Sequence, residues 1–283
     1  MTADAPRYDL HSHSTASDGS YPPAELVRQA ALAGIDVLAL TDHDSTAGVA
    51  EAWRAAAEAG IRLIPAVEVS TTWQNKTFHV VGLSIDPDHA GLKAGLAGLR
   101  EIRDQRAVEI GRRLAKYGVP GVFEAVAAKA GGGMITRTHF AQHLAELRLA
   151  RDAGDAFARY LAHGKPGHVS TRWADLGEAI AWINAAGGRA VLAHPRRYKL
   201  TGSWLQRLLT EFRAMGGAGL EVASGTAPPG DVQASAELAR RLGLLGSIGS
   251  DFHGPDYGWP KLGRLPPLPA GVRPVWDGWK LGG

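Results

Sequence analysis

The amino-acid sequence predicts an α/β protein built as a closed or nearly closed β/α barrel of about seven strands, with an inserted helical subdomain. Three observations carry this expectation. Short apolar runs alternate with amphipathic helical segments over the first 85 residues, and the alternation resumes after residue 172. Between them, from about residue 98 to 172, helical spacing dominates. Histidine and carboxylate residues recur at the ends of the apolar runs, the rim where β/α barrels gather their chemistry.

Taken in order, Tyr8–Leu10 leads into a His-rich turn. Pro23–Ala33 reads as a helix with Pro near its start, Leu26, Val27 and Ala30 on one face, and Gly34 as its stop. Ile35–Leu40 is a buried strand, Ala47–Ala59 an Ala-rich helix closed by Gly60, and Ile61–Val69 and Phe78–Leu83 further strands. Leu92, Leu96, Leu99, Ile102, Ile110 and Leu114 follow a helical period. Helical patterns continue at Val122–Ala130, Thr138–Ala150 and Ala153–Ala162, and a strand is expected at Gly167–Val169. The second half alternates helix Ala174–Ala186, strand Arg189–Ala193, helix Leu205–Met215, strand Gly219–Ala223, helix Val232–Leu242 and strand Leu244–Ile248. The tail from Leu265, rich in Pro and Trp, is expected to wrap the surface.

Composition narrows the function classes. Apolar residues make up 45% and charged residues 21%, an ordinary globular balance that disfavours disorder. Cysteine is absent, which excludes disulfides, thiolate metal sites and a cysteine nucleophile. Residues 1–7 carry no apolar leader core, and no run approaches a membrane span, so a soluble cytoplasmic protein is expected. The net charge of +3 conceals an asymmetry. Residues 98–172 hold 13 Arg and Lys against 7 Asp and Glu, whereas the remainder holds 18 against 21. A basic insert beside a slightly acidic barrel favours an anionic partner.

Six clusters carry candidate chemistry. They are Asp9-Leu10-His11-Ser12-His13 followed by Asp18-Gly19, Thr41-Asp42-His43-Asp44, Glu68 at the end of its strand, His79, Ala193-His194-Pro195, and Ser250-Asp251-Phe252-His253. Each alone is a weak signal, since a single His at a strand end is more often structural. Their recurrence on one rim points to a polynuclear metal site. Imidazole nitrogen and carboxylate oxygen without sulfur suit Mn, Zn or Fe better than an all-oxygen Ca or Mg site. Such clusters usually drive phosphoryl or acyl hydrolysis.

The motifs H-S-H-S-T-A-S-D-G, T-D-H-D, Glu68, His79, H-P and S-D-F-H, in this order, resemble those of the PHP (polymerase and histidinol phosphatase) family of phosphoesterases. The resemblance implies a distorted seven-stranded β/α barrel at 1–97 and 173–283, with a helical insert at 98–172 that binds substrate. It also implies two or three divalent ions, for which the donor type favours manganese with zinc or iron as alternatives. One would be held by His11, His13, Glu68 and Asp251, which would form the catalytic core. A second would share Glu68 and take His79 and His194, and a third would take Asp18, His43 and His253. In some relatives a His stands at the position of Asp18.

Thr136-Arg137-Thr138-His139-Phe140 and the stretch from Phe157 to Gly167 are similar to the bacterial branch that removes the 3′-phosphate from nucleoside 3′,5′-bisphosphates. An example is conversion of 3′-phosphoadenosine 5′-phosphate to AMP and phosphate. Some members of that branch trim short RNA from the 5′ end. Arg137, His139, Lys165, Arg196 and Arg197 are the candidate substrate contacts, Arg137 through a bidentate grip on phosphate. Arg100, Arg103, Arg106, Arg112 and Arg113 read as a solvated helix face. His89, His143, His163 and His168 are left without a role. The expected activity is therefore a metal-dependent phosphatase. A 5′→3′ exoribonuclease and a non-catalytic metal- or nucleic-acid-binding protein are the alternatives.

Overall fold

A computed structural model describes residues 5–131, 133–225, 227–255 and 261–279. Among them, seven strands form a nearly closed barrel: β1 (Tyr8–Asp9), β2 (Val37–Leu40), β3 (Arg62–Trp73), β4 (Lys76–Leu83), β6 (Arg189–Leu192), β7 (Gly219–Ser224) and β8 (Leu245–Gly249). A short β5 (Ala174–Asp175) pairs with the far end of β3, at Thr71 and Thr72. The barrel closes where β8 meets β1. The Leu10 N–H donates to the Ile248 carbonyl at 3.0 Å, and Ser12 bridges Phe252 in parallel.

The β2, β3, β6, β7 and β8 pairings follow the expected parallel pattern, but β4 runs antiparallel to both neighbours. Its cause is a two-residue hairpin at Gln74-Asn75, whose φ angles of 48° and 60° match the turn that suits strand twist. The hairpin lengthens β3 to Trp73, so Glu68 lies mid-strand rather than at a strand end. The reversal also brings the first half of β4, with His79, to the rim where the other strands finish. His79 pairs in register with Ser70.

The helices are α1 (Pro23–Leu32), α2 (Val49–Ala59), α3 (Ala90–Lys116), α4 (Val122–Ala130), α5 (Arg137–Glu146), α6 (Ala153–Ala156), α7 (Leu176–Ala185), α8 (Gly202–Ala214) and α9 (Pro229–Leu242). α1 and α2 bury Leu26, Val27, Ala30, Ala52 and Ala56 against β2. α7, α8 and α9 cover the other side of the barrel through Ile180, Ile183, Leu208, Phe212 and Ala236. The expected helix from Ala174 begins at Leu176 instead, because Asp175 and Glu178 form a capping box. The helix expected to reach Ala150 ends at Glu146. No strand forms at Gly167–Val169, where the backbone turns rather than pairing with the sheet.

α3 is the long member and serves two cores. Its first half packs Leu92, Leu96 and Leu99 on the barrel, while Ala107, Ile110 and Leu114 join Val126, Phe140, Leu144 and Leu161 in a separate apolar cluster. A boundary at residue 98 thus falls inside one continuous helix. A π-helical turn at Phe157–Leu161 completes the helical segment.

The barrel interior is filled by Leu10, Ala39, Ile64, Ala66, Val81, Val191 and Ala193, with Val275 from the tail inserted among them. Trp276 stacks on Tyr8 with ring centroids 4.2 Å apart. The tail therefore stops the barrel at the end opposite the rim; its residues 280–283 lie outside the described residues. No helix among the described residues is long and apolar enough to cross a membrane.

β8 approaches the His11 backbone unusually closely at Gly249. A Cβ there would lie 2.3 Å from the Cβ of His11 and 2.9 Å from the oxygen Oε1 of Glu221. Gly249→Ala should lower stability by about 1–3 kcal/mol through overpacking. A thermal melt checks this, and an unchanged midpoint would contradict the close approach.

Candidate metal centre

The rim gathers every predicted metal ligand into one buried cluster. His11 and His13 follow β1, His43 follows β2 and bridges Glu68, His79 comes from β4, His194 follows β6, and Asp251 and His253 follow β8. Asp18 comes from the loop after His13. His194 and Asp251 sit in the left-handed backbone region, at φ 30° and 55°. Non-glycine residues held there store strain of order 1–3 kcal/mol, a cost that clusters at functional sites.

Glu68, fully buried, is the hub. Its Oε1 lies 3.0 Å from both His79 Nδ1 and His194 Nε2. Its Oε2 lies 2.9 Å from His43 Nδ1, 3.3 Å from His11 Nε2 and 3.4 Å from His13 Nε2. Asp251 Oδ1 faces the same two histidines, 3.3 Å from His11 and 3.1 Å from His13. Asp18 Oδ1 faces His253, His43 and His13 at 3.4, 3.9 and 4.0 Å.

Three groups of ligand atoms are compact enough to surround an ion: His11, His13, Glu68 and Asp251; His13, Asp18, His43 and His253; and His43, Glu68 and His79. Compared with the sets expected from sequence, His13 joins the group around Asp18, and His43 joins Glu68 and His79. His194 touches the same Glu68 oxygen as His79. The donors also fit cations by what they lack. His11 Nε2, Asp18 Oδ1, His43 Nδ1 and Glu68 Oε2 are buried without a hydrogen-bond partner. Buried polar groups are rarely left so. Four such atoms converging on one space match the needs of divalent ions.

The electrostatics describe the same demand. Burial, reinforced by His253 and His43, pushes His13 down to about 3, which leaves it a neutral ligand. Burial alone would lower His11, but Glu221, Glu68 and Asp251 overcome it and raise it well above the usual range. Against the same burial, Asp18 and Asp251 lift His253 to about 9. Burial would raise Glu68, yet His11, His43 and His79 hold it well below the ordinary carboxylate range. Without cations, protons must neutralise the carboxylates.

Supporting contacts lie behind the cluster, and several escaped the sequence reading. Glu221 on β7 is 2.7 Å from His11 Nδ1 and accepts the His194 N–H at 2.6 Å. An acidic residue inside the apolar run Gly219-Leu220-Glu221-Val222-Ala223 was the available signal. Asp42 accepts from Ser14 N, Ser14 Oγ and Ser17 Oγ, which fixes the loop leading to Asp18. Thr138 donates to Asp18 Oδ2 at 2.8 Å, so helix α5 touches the cluster directly.

A cavity of about 400 Å³ opens beside Asp18, His43 and His79. Arg137 lines it, as expected, and so do Arg103, Arg106, His163 and His168. The solvated reading therefore fails for Arg103 and Arg106. Arg103 is buried, donates to Asp44 at 2.7 Å and to Ser70 at 2.8 Å, and lies over Trp173 with Arg106. Its position in the 96-99-103-107-110 spacing marked the core face of α3. Arg112 and Arg113 do stay on the exposed face, paired with Glu109. Burial and the facing guanidiniums lower Arg106 to about 8 and Arg137 to about 10. Cations crowded to this degree favour an anion between them.

The other substrate candidates are less central. His139 turns its Nδ1 back to accept the Thr136 N–H at 3.1 Å, closing a capping box on α5. Lys165 is exposed, and neither residue lines the cavity. Arg197 reaches Asp251 Oδ2, and Arg196 lines a second cavity with it, beyond His194.

A barrel rim carrying clustered imidazoles and carboxylates suited to divalent metal, with a basic cavity beside it, defines a class of metal-dependent phosphoesterase scaffold. The chain belongs to the PHP domain family, whose family model matches residues 9–164. It is 46% identical over 271 residues to a 5′-3′ exoribonuclease of Haemophilus influenzae, covering 96% of this chain and 98% of the relative. It is 46% identical over 269 residues to a 3′,5′-nucleoside bisphosphate phosphatase of Chromobacterium violaceum, covering 95% and 94%. The structure of an amidohydrolase from Chromobacterium violaceum, with bound sulfate and no metal, superposes with a TM-score of 0.91 at 44% identity. It covers 96% of this chain and 95% of that one.

The raised His11 and His253 must give up protons when cations bind. Manganese titration of the metal-free protein in two buffers of different ionisation enthalpy should show proton release, with affinity weakening as pH falls below about 9. Equal heats in both buffers would contradict this. Glu221→Gln should weaken manganese binding roughly 10–100-fold in the same titration, as loss of an outer partner does elsewhere.

Proposed function

We propose that the chain is a metal-dependent phosphomonoesterase that removes the 3′-phosphate of nucleoside 3′,5′-bisphosphates. The observation that carries this reading is the basic cavity beside the cluster. A substrate with one phosphate at the cluster needs a second anion to use Arg103, Arg106 and Arg137. The phosphatase relative supports the same substrate class. The exoribonuclease relative favours a second reading, hydrolysis of short RNA from its 5′ end at the same site.

In this reading His11, His13, Glu68 and Asp251 would hold the first ion. Glu68, His79 and His194 would hold the second, and Asp18, His43 and His253 the third. Manganese suits the nitrogen and oxygen donors. When bound, the ions supply Lewis acidity, which activates water and offsets charge on the phosphoryl oxygens. The chain's own residues do the rest. Arg137 and Arg106 grip the 5′-phosphate, and Arg103 is fixed by Asp44 so that its charge stays in the cavity wall. Arg197, beside Asp251, holds the phosphoryl group under attack. Arg196 adds positive charge on the far side of His194. His139 orients α5 and through it Arg137. Lys165, exposed and outside the cavity lining, adds only to the positive charge of the helical segment.

Phosphate release from a nucleoside 3′,5′-bisphosphate should exceed release from 3′- and 5′-mononucleotides with manganese present. Equal or absent turnover would overturn the proposal. Arg137→Ala should raise KM for the bisphosphate roughly 10–100-fold, the worth of one charge-assisted contact, and leave 3′-mononucleotides little changed.

A further inference from the structure

The metal cluster separates two cavities. His43 and His79 line the basic one, and His194 lines the other, yet all three touch the single carboxylate of Glu68. The second cavity, about 340 Å³, is bounded by the segment Pro195–Tyr198 and the start of α9. Its volume falls within the range that admits a small ligand. Several groups in its wall lack partners. Ser224, at the end of β7 and nine-tenths buried, has an Oγ with no hydrogen-bond partner. His194 Nδ1 is buried without one as well, while its Nε2 faces Glu68. A histidine bound to a cation through Nε2 keeps its proton on Nδ1, where it needs an acceptor. Arg196 is steadied by Ser235 Oγ at 3.4 Å from its Nε and has no ion pair among the described residues. Buried polar groups are rarely left so.

We propose that this cavity is a binding site for inorganic phosphate, filled by the phosphate product while the nucleoside monophosphate still occupies the basic cavity. The inference rests on the phosphatase reading above. The donors in the wall suit an oxyanion. Arg196 and Arg197 supply positive charge, and the Ser224 hydroxyl and the His194 ring supply further donors. One group is of the opposite kind, the carboxylate of Asp231, which only accepts. Near neutral pH phosphate keeps at least one P–OH, which Asp231 can accept, whereas sulfate has none to offer. A site built around a hydroxyl of its ligand rejects the analogue that lacks it. Glu221, the other acid of this wall, is already engaged by His11 and by the His194 N–H.

The cavity also lies where the phosphate has room to go. The phosphoryl group is detached at the cluster, and the nucleoside monophosphate, held at Arg106 and Arg137, obstructs the way through the basic cavity. Arg197 lines the second cavity and reaches Asp251, so one guanidinium serves both cluster and cavity. Transfer along it clears the cluster before the nucleotide departs. The two products are then released on opposite sides of Glu68, in either order.

The test is equilibrium dialysis of inorganic phosphate against the manganese-loaded protein, freed of excess metal and saturated with a nucleoside 5′-monophosphate. The wild type should take up two equivalents of phosphate, one at the cluster and one in the cavity. Ser224→Ala should weaken the second about tenfold, the worth of one hydrogen bond to an anion. Sulfate should compete for that equivalent about tenfold less well than phosphate, and Asp231→Asn, whose amide also donates, should remove the difference. Neither Ser224 nor Asp231 belongs to the metal cluster. A single equivalent, or two that neither substitution alters, would therefore overturn the site. Far-UV circular dichroism checks folding; should Ser224→Ala misfold, Asp231→Asn decides. Phosphate release from a bisphosphate is assayed on the same protein. Hydrolysis without the second equivalent removes this inference alone. Two equivalents without hydrolysis remove the phosphatase reading, and with it the role of the site in product release.

Discussion

Everything at the rim depends on one carboxylate. Glu68 presents two oxygens, without solvent contact, to five imidazoles from four separate places in the chain. A buried charge of that kind is costly unless paired. The pairing here requires His11, His13, His43, His79 and His194 to arrive together, and only a barrel brings those strand ends to one point. The fold and the site are thus mutually dependent: the barrel assembles the donors, and the donors must be satisfied for the barrel mouth to be stable.

Much of this architecture was legible. The alternation of short apolar runs and amphipathic helices gives the barrel, and His11, His13, His43, His194, Asp251 and His253 stand where such runs end. Less visible were features fixed by geometry across the sheet. The reversal of β4 rests on Gln74 and Asn75 adopting positive φ, a small local signal within a polar stretch. The extended β3 hid behind the same stretch, which moved Glu68 from a strand end to a strand middle without removing it from the rim. Arg103 was misread because charge on a helix usually means solvent. Its spacing placed it on the packed face, and Asp44 and Ser70 meet it there.

The helical segment contributes to the chemistry by contact rather than by proximity alone. Thr138 holds one oxygen of Asp18, while the neighbouring Arg137 lies 4.8 Å over Phe157 at the basic cavity. Adjacent residues on α5 thus face a carboxylate of the cluster and the basic cavity beside it. Because α3 is continuous between the barrel core and the helical core, the two bodies share a rigid strut. The position of Arg103 on that strut is set by both cores at once.

The barrel closure has a consequence for the order in which the site comes into being. His13 and Asp251 meet across 238 positions of sequence. Loop-closure entropy must be met before such contacts gain anything, and topologies dominated by them fold slowly. The carboxylate of Asp251 reaches His11 and His13 only when β8 is docked beside β1. A change that loosens this seam, even one remote from the cluster, therefore also opens the cluster.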